Sequence, residues 1–122
     1  MNIYESTVFA IGDLVPAFRE QGMLVFFGAN APEELHDFCI LHNVEHQEDE
    51  LKAGDTVSID DKSFEVLAVG DVANENLMNL GHLNLKANGL TNAELPGDVN
   101  IAVQELPEIK IGTKIKITIC KC

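Results

Sequence analysis

The chain has no tryptophan, one tyrosine and only eight basic residues against twenty acidic ones. The formal charge of −12 repels phosphate backbones and anionic lipid, which argues against either as principal partner and makes a basic protein face the better match. Long apolar runs are missing too. Stretches such as Met23 to Phe27 and Phe38 to Leu41 stop far short of the roughly 20 residues of a membrane helix. The first residues, Met1-Asn2-Ile3-Tyr4-Glu5-Ser6-Thr7, lack the basic start and apolar core of a secretory signal, so a cytoplasmic protein is expected. Cysteine is sparse: Cys39, Cys120 and Cys122, an odd number with no export signal, are expected to be reduced thiols rather than a disulfide framework. No Gly-rich phosphate loop, serine-centred elbow or paired zinc motif occurs, so nothing suggests a self-contained hydrolase, and no cofactor or metal is expected.

What is present is alternation. The 122 residues suit a single domain spanning 1–122, able to bury roughly two-thirds of the surface its unfolded chain exposes. Ile3 to Ile11 alternates as a first strand, with Ile3, Glu5, Thr7, Phe9 and Ile11 on one face and Tyr4, Ser6, Val8 and Ala10 on the other. Gly22 to Gly28 encloses a short buried strand. Further strands are expected at Phe38 to His42, Thr56 to Ile59, Phe64 to Val72, His82 to Ala87, Val99 to Val103 and Lys114 to Lys121, with glycine, asparagine and aspartate marking the turns between them. Two short helices interrupt them. One lies around Asn30 to Asp37, where Asn30 and Glu33 have capping-box spacing; the other runs from about Asn74 to Leu80 and stops at Gly81. Many short strands at this spacing favour an all-β, mainly antiparallel barrel or sandwich over a βαβ sheet. An internal echo, Leu51 to Ile59 against Ile109 to Ile117, reads as two turn-to-strand entries built alike.

Four histidines are the candidates for chemistry. His42 closes the apolar run Phe38-Cys39-Ile40-Leu41-His42 and precedes the polar segment Asn43 to Glu50. A strand end entering a loop would give the imidazole a rigid base and a solvent-facing nitrogen, as a nucleophile shared between proteins requires. Imidazole suits the task because much of it is neutral near pH 7 and only the neutral form has a free lone pair. His82, after Leu80-Gly81, stands where a close backbone approach and nearby helix-end groups could orient His42 or hold a phosphoryl oxygen. Cys39, His42 and His46 could be read as metal ligands, but on a strand Cys39 and His42 face opposite sides. The acids Glu45, Glu48, Asp49 and Glu50 are expected to be solvated and turned outward.

Ordered blocks then point to a family. Ala31-Pro32-Glu33-Glu34-Leu35-His36-Asp37-Phe38-Cys39-Ile40-Leu41-His42, Ala68 to Leu77, Leu80-Gly81-His82 and Leu95-Pro96-Gly97 resemble the glucitol/sorbitol-specific IIA component of the bacterial sugar phosphotransferase system, and the similarity covers essentially the whole chain. The resemblance implies a small closed β-barrel with two short helices. It implies a phosphotransferase that accepts a phosphoryl group from phospho-HPr on a histidine and passes it to the IIB part of the IIB/IIC sorbitol permease. By motif, His42 maps to the phosphoryl-accepting nucleophile and His82 to a supporting residue. A second histidine follows the first more closely in the family pattern than His46 follows His42, which leaves His46 without an assigned role. Two other classes stay open on the residues alone: a barrel-type interaction module without covalent chemistry, and a small metal or thiol protein using Cys39, His46, Cys120 and Cys122.

Overall fold

The alternating segments close into a barrel in the computed structural model, which describes residues 2–119. Its strands are β1 (Asn2–Ile11), β2 (Met23–Phe27), β3 (Ile40–Gln47), β4 (Thr56–Ile59), β5 (Lys62–Val69), β6 (Leu83–Lys86), β7 (Asp98–Ile101) and β8 (Lys114–Thr118). They close in the order β1-β3-β2-β6-β7-β5-β4-β8. Neighbours are antiparallel except β2 with β3 and β6 with β7. The expected barrel is therefore present, and closure removes the free sheet edges a sandwich would leave. Cys120 and Cys122, with the end of the expected last strand, lie outside the described residues.

Inward-facing Leu24, Phe26, Ile40, Val57, Leu85, Val99 and Ile117 build the main core. A smaller cluster of Phe27, Ala31, Cys39 and Leu41 lies on the other face of β2 and β3. Cys39 and Leu41 thus point away from the side that Ile40 and His42 occupy, as a period of two demands.

Among the described residues three short helices decorate the barrel, one more than expected: α1 (Val15–Glu20), a 3-10 helix (Glu33–Phe38) and α2 (Ala73–Leu80). Helix α1 has six residues of which only Val15 is buried, so it shows no apolar period. It is held from outside, by Leu14 N–H to Asp37 O at 2.8 Å and Arg19 Nη1 to Leu106 O at 3.0 Å. The capping box expected of Asn30 and Glu33 does not form. Pro32, in an extended conformation, is the N-cap, and no side chain caps the helix. His36 instead ties the turn, its Nε2–H donating to Ala31 O at 3.0 Å.

A second correction concerns β3. It does not end at His42 but runs on through Asn43-Val44-Glu45-His46 to Gln47. The reason is the length of β1, which pairs with it from Ile11 opposite Ile40 to Tyr4 opposite Gln47. Backbone pairing, not burial, sets this strand's length, since Asn43 to His46 are exposed. Outward-facing Glu45 accepts from Thr7 Oγ1 at 2.7 Å and pairs with Lys114 at 3.3 Å, and both contacts hold its carboxyl below the usual carboxylate range.

The internal echo is structural. In one turn Lys52 N–H donates to Asp55 Oδ2 at 2.8 Å and Asp55 N–H to Lys52 O at 3.1 Å; in the other Lys110 N–H donates to Thr113 Oγ1 and Thr113 N–H to Lys110 O, both at 3.0 Å. The strands that follow, β4 and β8, pair with each other, Val57 opposite Ile117.

The parallel pair β6 and β7 carries a buried charge. Asp98, 1% exposed, accepts from Lys86 Nζ at 2.8 Å, Asn84 Nδ2 at 2.9 Å and Leu95 N–H at 3.2 Å. Removing the cation strands a buried carboxylate, a loss of roughly 3–5 kcal/mol. Lys86→Met should therefore lower the unfolding free energy in urea by about that amount. Adding Asp98→Asn should recover part of the loss; an unchanged midpoint for Lys86→Met would contradict the pairing.

Candidate functional site

The barrel wall opens at one seam. Strands β2 and β3 pair over only two positions, Phe26 with Ile40 and Phe27 with Leu41, after which β2 ends and β3 continues. The first β3 residue past that pairing is His42. The gap is filled from outside by the last turn of α2, and Gln47 Nε2–H donates to Met78 O at 3.3 Å across it. A cleft of about 310 Å³ remains, lined by Phe27 at the end of β2 and Gly28, Ala29 and Asn30 after it, by His42, Asn43, Val44 and Gln47 of β3, and by Leu77 to Leu80 of α2 with its cap Gly81.

Backbone chemistry decides how α2 ends there. Gly81 takes a left-handed conformation (φ 64°) and caps the helix, with Gly81 N–H donating to Leu77 O at 3.1 Å and His82 N–H to Asn76 O at 3.2 Å. The cap docks on the end of β2, where Gly28 N–H donates to Leu80 O at 2.9 Å. A Cβ on Gly28 would lie 2.7 Å from Leu80 O, and one on Gly81 3.0 Å from Gly28 Cα. Two glycines let the chains meet, and their contact aims the Gly81 carbonyl inward.

That carbonyl accepts from His42 Nε2–H at 2.6 Å. On the other side of the ring, Ser6 Oγ lies 2.6 Å from Nδ1. A carbonyl only accepts, so the hydrogen is on Nε2, the lone pair is on Nδ1, and the Ser6 hydroxyl donates to it. The ring is fully buried, with Phe26 and Tyr4 at centroid distances of 5.5 and 6.2 Å. Burial lowers its pKa from the ordinary histidine value, and the Gly81 hydrogen bond opposes this in part. His42 is thus a neutral imidazole held at both nitrogens.

This differs from the expected strand end with a solvent-facing nitrogen. His42 sits at a seam rather than an end, and both of its nitrogens are engaged. Nor does the His82 ring meet it. His82 Nδ1–H donates to Phe26 O at 3.2 Å and its ring lies against Phe27 at 4.7 Å; it does not line the cleft. The group that orients His42 from this corner is the carbonyl of the preceding glycine. His46 is exposed and bonds Glu48 at 3.1 Å. Cys39 is buried on the other face, its thiol pushed up to about 11 by desolvation and so protonated near neutrality. Ser6 was not singled out from sequence, although a serine on the strand face shared by Tyr4 and Val8 was the signal that could have found it.

The closed barrel thus leaves one neutral, doubly held imidazole against a cleft whose described lining carries no Asp, Glu, Lys or Arg. Residues 3–116 match the family described as the PTS system glucitol/sorbitol-specific IIA component. The chain is 36% identical over 115 residues to the glucitol/sorbitol-specific EIIA component of Escherichia coli (strain K12), and 34% identical over 114 residues to that of Shigella flexneri, each match covering 93% of both chains. The crystal structure of a PTS system IIA component from Enterococcus faecalis V583 superposes with a TM-score of 0.79 at 25% identity, covering 94% of this chain and 99% of that one. The chain belongs to the glucitol/sorbitol-specific IIA component family, and it is a phosphoryl-carrying phosphotransferase of the sugar phosphotransferase system. That membership favours the carrier over the interaction module and the metal or thiol protein.

Two outcomes follow from the geometry. Gly81→Ala places a Cβ 3.0 Å from Gly28 Cα and 3.5 Å from His42 Nε2 in a left-handed backbone, which costs an L-residue roughly 1–2 kcal/mol. It should lower the melting temperature and slow phosphorylation; a variant matching wild type in both would contradict the close packing. The lowered pKa of buried His42 means that the unfolded chain binds more protons as pH falls below about 6.5. The stability this histidine contributes is present above that pH and is lost on acidification toward its folded pKa. Urea unfolding from pH 8 to 5 should show the loss, and His42→Gln should remove that part of the slope.

Proposed function

We propose that His42 is the residue that takes the phosphoryl group, that phospho-HPr is the donor, and that the IIB part of a glucitol/sorbitol permease is the acceptor. On this reading the chain works in the cytoplasm as one phosphocarrier domain, and it reaches the membrane only through the permease. The observation that carries the reading is the position of His42 at the seam where β2 and β3 part, against a cleft wide enough for a phosphoryl group.

The chemistry supports it. A neutral imidazole is a competent nucleophile, and burial keeps it neutral. Nε2 is the nitrogen on the cleft side, beside Gly81, whereas Nδ1 faces Ser6 inside the barrel. Attack therefore falls to Nε2, after the Gly81 carbonyl has withdrawn and the hydrogen has left that nitrogen. Neutral amides of Asn30, Asn43, Gln47 and Asn79 line the cleft and, among the described residues, no Lys or Arg does, so cationic charge for the moving phosphoryl group is supplied by the partner. The overall charge of −12 attracts such a basic face. Val44, Met78 and Leu80, each more than a third exposed, offer it apolar contact at the rim. His82 supports the site at one remove, by fastening the α2 cap to β2 through Phe26 O.

Phosphoenolpyruvate, enzyme I and HPr should together give an acid-labile phosphoadduct on the folded protein. His42→Ala should abolish it, whereas His82→Ala should keep it at reduced rate. An adduct that survives in His42→Ala and disappears in His82→Ala would reverse the two roles.

A further inference from the structure

We infer that Ser6 is a positioning residue for the transfer: its hydroxyl stays hydrogen-bonded to Nδ1 of His42 in both tautomers, so the ring can move its lone pair to Nε2 without losing its place. The inference rests on His42 being the phosphoryl acceptor.

Ser6 is out of place as a packing residue. It lies on the interior side of β1 between Tyr4 and Val8, each 1% exposed, and is itself 0% exposed. A hydroxyl so buried is costly unless it is paired. Its side-chain partner is the imidazole of His42, 36 residues away at 2.6 Å. A hydrophobic residue would serve the core there, whereas a serine serves the ring.

The type of group matters. A carbonyl or carboxylate beside Nδ1 could only accept a hydrogen bond and an amide N–H could only donate one, so each would fix one tautomer. A serine hydroxyl does either by rotating about its C–O bond. The two sides of the ring are therefore unlike. Gly81 O holds only the Nε2–H form, which cannot attack through Nε2. Ser6 donates to Nδ1 in that resting form and accepts from Nδ1–H in the reactive one.

The proton count closes with water. Once the α2 cap withdraws and the opened seam admits water to the ring, Nε2 loses a proton to water and Nδ1 gains one from water, so the ring stays neutral and the lone pair moves to Nε2. In the transfer the donor's N–P bond breaks as the Nε2–P bond forms, and the positive ring that results keeps its Nδ1–H on Ser6 Oγ. Onward transfer breaks Nε2–P, returns that electron pair to the ring and leaves Nδ1–H where it was. On the Ser6 side of the ring only the hydroxyl rotor has to turn.

The test uses the intact protein with 15N-labelled histidine, phosphorylated by phosphoenolpyruvate, enzyme I and HPr. Wild type should show phosphorus coupled to Nε2 of His42 and a slowly exchanging Nδ1–H. Ser6→Ala, with its fold verified by amide spectra, should be phosphorylated roughly 10- to 100-fold more slowly, the loss typical when a group orienting an imidazole is removed. Its Nδ1–H should exchange rapidly. Ser6→Thr, which restores the hydroxyl, should recover most of the rate, and Ser6→Cys, close in shape but a poor hydrogen-bond partner, should behave like Ser6→Ala. Phosphorus on Nδ1, or Ser6→Ala and Ser6→Cys both reacting at the wild-type rate, would overturn the role of Ser6 while leaving His42 as acceptor. Phosphorylation of wild type at another residue would overturn the acceptor assignment and this inference together.

Discussion

A buried imidazole needs a partner for each of its nitrogens, and this site is arranged around meeting that need for His42. One partner, the Gly81 carbonyl, comes from the end of a helix; the other, the Ser6 hydroxyl, comes from the neighbouring strand. Remove either and the ring keeps a polar nitrogen out of water with nothing to pair it, which costs about 1–3 kcal/mol. The Gly81 contact also sets the tautomer, so an interaction that stabilises the fold governs which ring nitrogen bears the lone pair.

The need for a partner at Nε2 explains features that otherwise look unconnected. Helix α2 stops at Gly81 because a left-handed cap turns the chain back toward β6, and it fits there because Gly28 has no side chain to obstruct it. Strand β2 is short, so that α2 rather than a continued strand covers the second half of β3. The barrel is thus closed by strand ladders except along the second half of β3, the place proposed for exchange of the phosphoryl group. Its covering there is a helix cap, held mainly by hydrogen bonds and a glycine contact, which is easier to displace than a laddered strand.

Much of this could be read from the residues, and the parts that could not have physical reasons. Alternation and turn glycines were enough for a barrel or sandwich, because period two survives in strands with one wet face, and the family resemblance chose the closed barrel. The matched turns before β4 and β8 were visible because a turn glycine and apolar residues two apart recur at the same offsets, although Asp55 closes one turn and Thr113 the other. His42 and Gly81 stood out by their positions beside an apolar run and a helix stop. The polar half of β3 did not, since its strand character comes from β1 across the ladder rather than from Asn43, Glu45 or His46 themselves. Helix α1 escaped notice because six residues with one buried side chain leave no period. Ser6 was hidden for another reason: its meaning depends on a partner 36 residues away. At the corner where His82 was expected to support the ring, the group that bonds His42 is the carbonyl of the preceding Gly81, while His82 bonds Phe26 O.

The most direct measurement is the 15N spectrum of the His42 ring in the unphosphorylated protein near neutral pH. A neutral ring with the hydrogen on Nε2 and a bare, hydrogen-bonded Nδ1 is the predicted result. The opposite tautomer, or the fast-averaged signals of a free solvated imidazole, would contradict the account.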